Sequence, residues 1–164
     1  MVAGSTTLFN YVQNIPRVRS RGVELSWEGH DLGLAGLDLS GSITLVDPIV
    51  RSDPAFAAAE GKDLPQVPRR RATLVATYRI DPRFALTLAG RYSSRSFATI
   101  DNSDPVTHTY QGFDSYFVLD ARITWRVGQH LELAAGVENL NNDRYFLFHP
   151  FPQRSVTAEL GWRW

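Results

Sequence analysis

Reading back from the C-terminal Trp164, every second residue is apolar: Trp162, Leu160, Ala158 and Val156. The residues between them are Arg163, Gly161, Glu159, Thr157 and Ser155. A period of two over this distance describes an extended strand whose two faces meet different surroundings, because successive side chains on a strand point to opposite sides. It also places a regular strand at the extreme end of the chain, where most proteins fray.

The same period recurs upstream. Phe117, Leu119, Ala121, Ile123 and Trp125 alternate with polar positions, as do Leu131, Leu133, Ala135 and Val137. Phe84 to Tyr92, Ala72 to Ile80 and Leu37 to Leu45 repeat the pattern, preceded by Gly22 to Glu28 and a less regular Thr6 to Asn14. These segments predict about eight strands and no helix. The connections alternate in length: short turns near His30 to Ala35, Asp81 to Arg83 and Val127 to His130, long loops over Asp47 to Pro68, Ala98 to Phe113 and Asn141 to Gln153. One end of the sheet therefore carries tight hairpins and the other carries the loops, with the C-terminus at the hairpin end.

A soluble β-sandwich also produces period-two alternation. Three features oppose it. Several strands reach the roughly 9 to 11 residues needed to cross a bilayer at a tilt. Full charges lie in mid-strand on the polar face, at Arg91, Asp120, Arg122, Glu132, Glu138 and Glu159, which suits a watery lumen. Aromatic residues cluster near strand ends on the apolar face, at Trp27, Tyr78, Phe84, Trp125, Trp162 and Trp164, where interfacial girdles belong. The pattern predicts an all-β fold, an antiparallel transmembrane β-barrel segment in a bacterial outer membrane, forming one unit over residues 1–164.

Composition narrows the partners. Seventeen basic residues balance 17 acidic ones, and Lys62 is the only lysine, so nothing points to nucleic acid. The chain has no cysteine, which removes disulfides and thiolate metal sites. No apolar run approaches the roughly 18 residues of a membrane-spanning helix. The N-terminal MVAGSTTLFN lacks the basic start and apolar stretch of a secretory signal, so none is expected within this chain.

A barrel explains the ordered C-terminal strand. An unpaired edge in hydrocarbon leaves backbone N–H and C=O groups unsatisfied at several kcal/mol each, so the last strand of a barrel must pair on both sides. Val156, Ala158, Leu160, Trp162 and Trp164 also resemble the C-terminal recognition signal of bacterial outer-membrane proteins, which implies reading by the barrel-assembly machinery.

Four segments resemble, in order, the C-terminal part of a TonB-dependent outer-membrane receptor: GVELSWEG from Gly22, DLPQVPRRRATLVATY from Asp63, GVENLNNDRYF from Gly136 and PQRSVTAELGWRW from Pro152. The third contributes Asn139, Leu140 and Tyr145 as loop and turn residues, and the last contributes Arg154. The resemblance implies a roughly 22-stranded barrel around an N-terminal plug, taking up ferric siderophores, cobalamin or other scarce nutrients with energy from TonB delivered through that plug. With about eight strands, no plug and no TonB box, this chain is expected to be the C-terminal portion of a larger barrel and not to transport alone. A self-contained small barrel with a structural or adhesive role is the alternative, and it requires Thr6 to Asn14 to pair with Val156 to Trp164. An outer-membrane hydrolase is a third reading, without a recognisable Ser/His arrangement to support it.

Catalytic, cofactor and metal motifs are not found. The four histidines form no ligand spacing; His30 and His130 fall in short turns, while His108 and His149 fall in outer loops within reach of an incoming ligand. Asn139 and Asn142 are expected to satisfy local backbone groups in a turn. Arg69 to Arg71, just after the longest loop, are placed near the outer rim, as lipopolysaccharide contacts or as a solvated strand start.

Overall fold

The computed structural model describes residues 14–104 and 107–164. Seven strands form one antiparallel sheet: β1 (Arg17–Gly29), β2 (Leu37–Ser52), β3 (Arg70–Arg79), β4 (Phe84–Ser93), β5 (Tyr116–Val127), β6 (Leu131–Glu138) and β9 (Ser155–Trp162). Each pairs with its neighbour in chain order, β6 pairing directly with β9. Between those two, β7 (Phe146–Leu147) and β8 (His149–Pro150) make a small hairpin within the last long loop, and Ala57–Ala59 form one 3-10 turn in the first. Among the described residues no helix is long and apolar enough to cross a membrane.

The register shows why the sheet has two solvents. Cross-strand partners share a face, so aligned residues form rows across the sheet. One face carries the rows Leu25, Ile43, Ala72, Tyr92, Phe117 and Gly29, Leu39, Ala76, Leu88, Ala121, Val137, Val156. Further down it carries Phe84, Trp125, Leu133, Leu160. The other face carries Asp38, Thr77, Thr87, Arg122, Gly136, Thr157 and Arg79, Ala85, Thr124, Ala134, Glu159. Hydroxyls pair along it, Ser42 with Thr73 at 2.8 Å and Thr77 with Thr87 at 3.0 Å. The apolar face stays uncovered: Val156 is 75% and Leu160 72% exposed. Apolar area of this kind has no place against water and fits hydrocarbon.

The rows run obliquely to the sheet ends. Gly29, the turn end of β1, aligns with Ala121, yet β5 continues to Val127 before its own turn. That offset is roughly one and a half residues per strand, the stagger expected when strands ~4.8 Å apart tilt by about 45°. Points of equal membrane depth shift by the same amount. Trp27 on β1 therefore lies level with Trp125 on β5, and both belong to one aromatic belt with Phe84 and Tyr78 near the short turns. Tyr92 and Phe117 mark the opposite belt. Phe117 and Trp125 are separated by about 27 Å along β5, or roughly 20 Å of depth at that tilt, close to the apolar band of a bilayer. Gly41 faces Trp27; a Cβ there would come within 2.4 Å of the indole, so glycine lets that ring lie across β2.

β1 and β9 are edges that do not pair with each other, which leaves the described sheet open. The segment Thr6 to Asn14, apart from Asn14 itself, lies outside the described residues. Two expectations change. β1 begins at Arg17 rather than Gly22, and β2 continues through Asp47 to Ser52, a stretch assigned from sequence to the first long loop. The loop itself supplies the missing ladder: Val50 N–H donates to Lys62 O at 2.9 Å, Gly61 N–H to Val50 O at 2.9 Å and Leu64 N–H to Pro48 O at 2.7 Å.

Candidate functional site

The polar face holds a ladder of ion pairs. Arg122 donates to both Glu159 oxygens at 2.8 and 2.6 Å, Arg91 to Asp120 at 3.0 Å, and Arg126 and Arg163 both to Glu132, at 3.1 and 3.2 Å. Asp38 and Arg79 pair at the turn end. Charges matched this way tolerate a narrow, partly ordered lumen better than single charges do.

At the loop end, the residues after β6 complete the upper part of β5. β6 pairs with β5 only from Ala121 onward, leaving the backbone of Phe117 and Leu119 without strand partners on that side. Side chains replace the strand. Asn141 accepts from Leu119 N–H at 3.0 Å and donates to Phe117 O at 2.6 Å, Asp143 accepts from Phe117 N–H at 2.9 Å, and Leu140 N–H donates to Leu119 O at 2.6 Å. Every backbone group of that pair is thereby satisfied, as a membrane-spanning sheet requires.

Asn139 organises this turn. It is 3% exposed and adopts the left-handed region at φ 51°, which asparagine tolerates better than most residues. Its N–H donates to Asp120 at 2.9 Å and its amide donates to Asp143 O at 2.8 Å. Asn142, also left-handed, accepts from Arg154 N–H at 3.1 Å and so ties the loop to the start of β9. Tyr145 is buried between Tyr116 at 4.4 Å and Phe151 at 5.0 Å, both stacked, and burial pushes its phenol pKa up. Beside these rings, Arg91, Asp120, Asn139, Tyr145 and Phe151 line an open cleft of about 360 Å³ on the lumenal side of the mouth.

The outer loops zip together. Gln111 N–H donates to Phe148 O at 2.7 Å and Phe148 N–H to Gly112 O at 2.8 Å, which joins the fifth-strand approach to the β7–β8 hairpin. Asp114, missed in the sequence reading, is the buried anchor: its carboxylate accepts from His108 N–H at 3.0 Å and from Phe146 N–H at 2.9 Å. No spacing marks it, because its two partners lie on different loop segments, one of them 32 residues away. In the same loop, burial opposes ionisation of Asp104, but the N–H groups of Ala98 and Thr99 and the Thr99 hydroxyl outweigh it and lower its pKa.

The remaining sequence-singled residues fall apart in space. Val156, Ala158, Leu160 and Trp162 share the apolar face. Trp162 stacks on His130 at 5.5 Å, Arg163 N–H donates to His130 O at 2.7 Å, and Trp164 follows fully exposed. His149 sits against Tyr110 and Phe148, and His30 lies 3.3 Å from Asp38. Among the described residues no cluster of three metal-ligating side chains occurs. Strand alternation splits the arginine run: Arg70 aligns with Leu45 on the apolar side, whereas Arg71 aligns with Thr44 and Ser93 on the polar side. Arg69 pairs with Asp63 at 2.6 Å and Asp47 at 2.9 Å, and these partners raise its pKa further.

The family of TonB dependent receptor-like β-barrels matches residues 2–140. The chain belongs to that family. Its members are outer-membrane transport receptors rather than enzymes. The probable TonB-dependent siderophore receptor PiuA of Acinetobacter baumannii is 29% identical over 86 residues, 52% of this chain and 11% of that protein. The crystal structure of the siderophore receptor PiuA from Acinetobacter baumannii superposes with a TM-score of 0.66 at 22% identity, over 88% of this chain and 20% of that one. The ferric-catecholate import receptor Fiu of E. coli, in its closed form, gives 0.70 at 22% identity, over 86% and 20%. The ferric citrate transporter FecA without ligand gives 0.69 at 21%, over 88% and 23%. This chain thus spans about a fifth of each of these three solved receptors, and its seven-stranded sheet is an arc of a TonB-dependent receptor barrel.

Proposed function

We propose that this chain is the C-terminal arc of an outer-membrane receptor that takes up a ferric siderophore, and that the arc is not transport-competent by itself. The observation that carries the reading is the two-solvent sheet, apolar rows against lipid and paired charges toward a lumen, which ends at the mouth in the Arg91, Tyr145 and Phe151 cleft. Stacked rings suit a ring-bearing ferric chelate through face contact, and Arg91, shared with Asp120 and set beside Glu138, is the one cation lining the cleft for an anionic ligand. The plug, the earlier strands and the TonB contact belong to the rest of the receptor. The open edges of β1 and β9 supply the hydrogen-bonding sites through which those strands close the barrel. The apolar row from Val156 to Trp162, with Trp164 beyond it, is the segment offered to the barrel-assembly machinery; its alternation and exposure support that role.

Binding of ferric catecholate, ferric hydroxamate and ferric citrate complexes to the receptor that carries this chain tests the reading. At least one complex is expected to bind, and Arg91→Ala to weaken it about tenfold, the value of one charge-assisted contact. Binding of none of them, or full affinity in the variant, would contradict it.

A further inference from the structure

The charges of the lumenal cleft do not balance. Arg91, Asp120 and Glu138 all line it. Arg91 donates to Asp120 Oδ2 at 3.0 Å while Asp120 Oδ1 accepts from Asn139 N–H at 2.9 Å, so this cation and this carboxylate offset each other. Glu138 ends β6 at the loop end of the sheet, opposite Ser155. Arg122, which shares an adjoining hollow with Glu138, is held instead by both oxygens of Glu159. Among the described residues no ion pair engages Glu138, and its contact with the Ser155 hydroxyl is long, at 3.4 Å. The charge that the cleft leaves unmatched is therefore negative.

The second observation is the ring in the same hollow. Phe151 stacks one face on Tyr145, with 5.0 Å between the centroids, yet remains 44% exposed, which leaves the other face open to the cleft. The face of an aromatic ring carries partial negative charge and attracts organic cations. A carboxylate and an open ring face together offer an ammonium group a charge-assisted hydrogen bond and a cation–π contact. A bare metal ion is served poorly here, because it calls for several ligands, and among the described residues no cluster of three metal-ligating side chains occurs.

We propose that the ferric chelate received by this cleft carries a protonated amine, which Glu138 binds against the open face of Phe151 while the acidic groups of the chelate turn to Arg91. The proposal rests on the siderophore reading and narrows its ligand to a zwitterionic chelate. Glu138 then sets specificity, because a chelate with anionic groups alone meets it as a like charge.

The test titrates the receptor that carries this chain with two matched pairs of iron complexes, a ferric trihydroxamate and a ferric tris-catecholate. Each is used with one free primary amine and with that amine acetylated; at pH 7 the amine is charged and its acetamide is not. In at least one pair the amine form is expected to bind about tenfold more tightly, the value of one charge-assisted contact. Glu138→Gln is expected to bring the two forms to equal affinity, and Phe151→Leu to shrink the preference about threefold. Glu24→Gln, which neutralises a polar-face carboxylate on β1, is expected to keep the full preference. Equal affinities in the unmodified receptor, as when another part of the receptor already occupies Glu138, would overturn the ammonium site. So would a preference that survives Glu138→Gln or disappears in Glu24→Gln, or binding of ferric citrate without binding of either amine form. A receptor that binds no ferric complex overturns the siderophore reading first, and the ammonium site with it.

Discussion

Asn139 and Asp143 hold each other reciprocally: the Asn139 amide donates to Asp143 O at 2.8 Å while Asp143 N–H donates to Asn139 Oδ1 at 2.8 Å. This ring closes the turn that hands β6 over to the loop, and it positions Asp143 and Asn141 to finish the β5 ladder. The local chemistry of one buried amide thus decides whether the upper part of β5 is saturated.

Asn139→Ala removes both bonds and places alanine in a left-handed conformation. It is expected to destabilise the folded receptor by about 2 kcal/mol, since buried backbone groups left unpaired cost about 1 to 3 kcal/mol. Denaturant unfolding in detergent micelles measures it, and Asn139→Asp, which keeps the accepting oxygen but sets a buried anionic oxygen against the Asp143 and Pro152 carbonyls, is expected to lose at least as much.

Arg122 reaches across β6 at its small residues Ala134 and Gly136 to grip Glu159 on β9. Reversing either charge alone is expected to loosen the terminal strand and hasten its proteolysis, while Arg122→Glu combined with Glu159→Arg recovers the protection. A double-mutant cycle on the proteolysis rate reads the coupling, and additive single effects would show that the pair does not act as a unit.

Asp104 gives the outer loop a pH dependence. Its pKa is lowered in the fold, so its contribution is complete above the ordinary carboxylate value of 3.8 and fades as the pH falls below that toward the lower folded value. The protection of the Ala98 and Thr99 amides from exchange, taken relative to their intrinsic rates, is expected to fall on that acid side and to be independent of pH in Asp104→Asn.

Trp27 and Trp125 occupy one depth by the stagger of the rows. Single-tryptophan versions in bilayers of brominated lipids are expected to give matching quenching profiles near the short-turn interface. Profiles centred more than about 5 Å apart would show that the tilt is not the roughly 45° inferred from the register.

The strands were legible because a face against lipid admits few polar residues, so Leu86, Leu88 and Tyr92 alternate with Thr87, Ala89 and Arg91 without local ambiguity. Turn-end aromatics such as Trp125 and Phe84 marked the belt for the same reason. The upper part of β2 was not legible: Asp47 and Pro48 break the alternation, and its partner is a loop segment around Lys62 and Leu64 brought back by Gly61. Asn139 stood out through its family motif, but its partners Asp120 and Pro152 are distant in sequence. Asp114 carried no signal, since its role comes from backbone N–H groups on separate loops. The split of Arg69, Arg70 and Arg71 follows from strand phase, which becomes fixed only once the start of β3 is known.

Site-directed spin labelling tests, position by position, whether one face of this sheet meets lipid and the other a water-filled lumen. The chain has no cysteine, so single cysteines at Leu74, Leu88 and Leu160, and at the facing positions Thr73, Ala89 and Glu159, take labels unambiguously within it. In outer-membrane vesicles, labels at the first three are expected to be relaxed by oxygen and shielded from a water-soluble nickel chelate, and labels at the other three to show the reverse. Equal exposure of both sets to the chelate, or oxygen-dominated relaxation at Thr73, Ala89 and Glu159, would contradict the barrel arc.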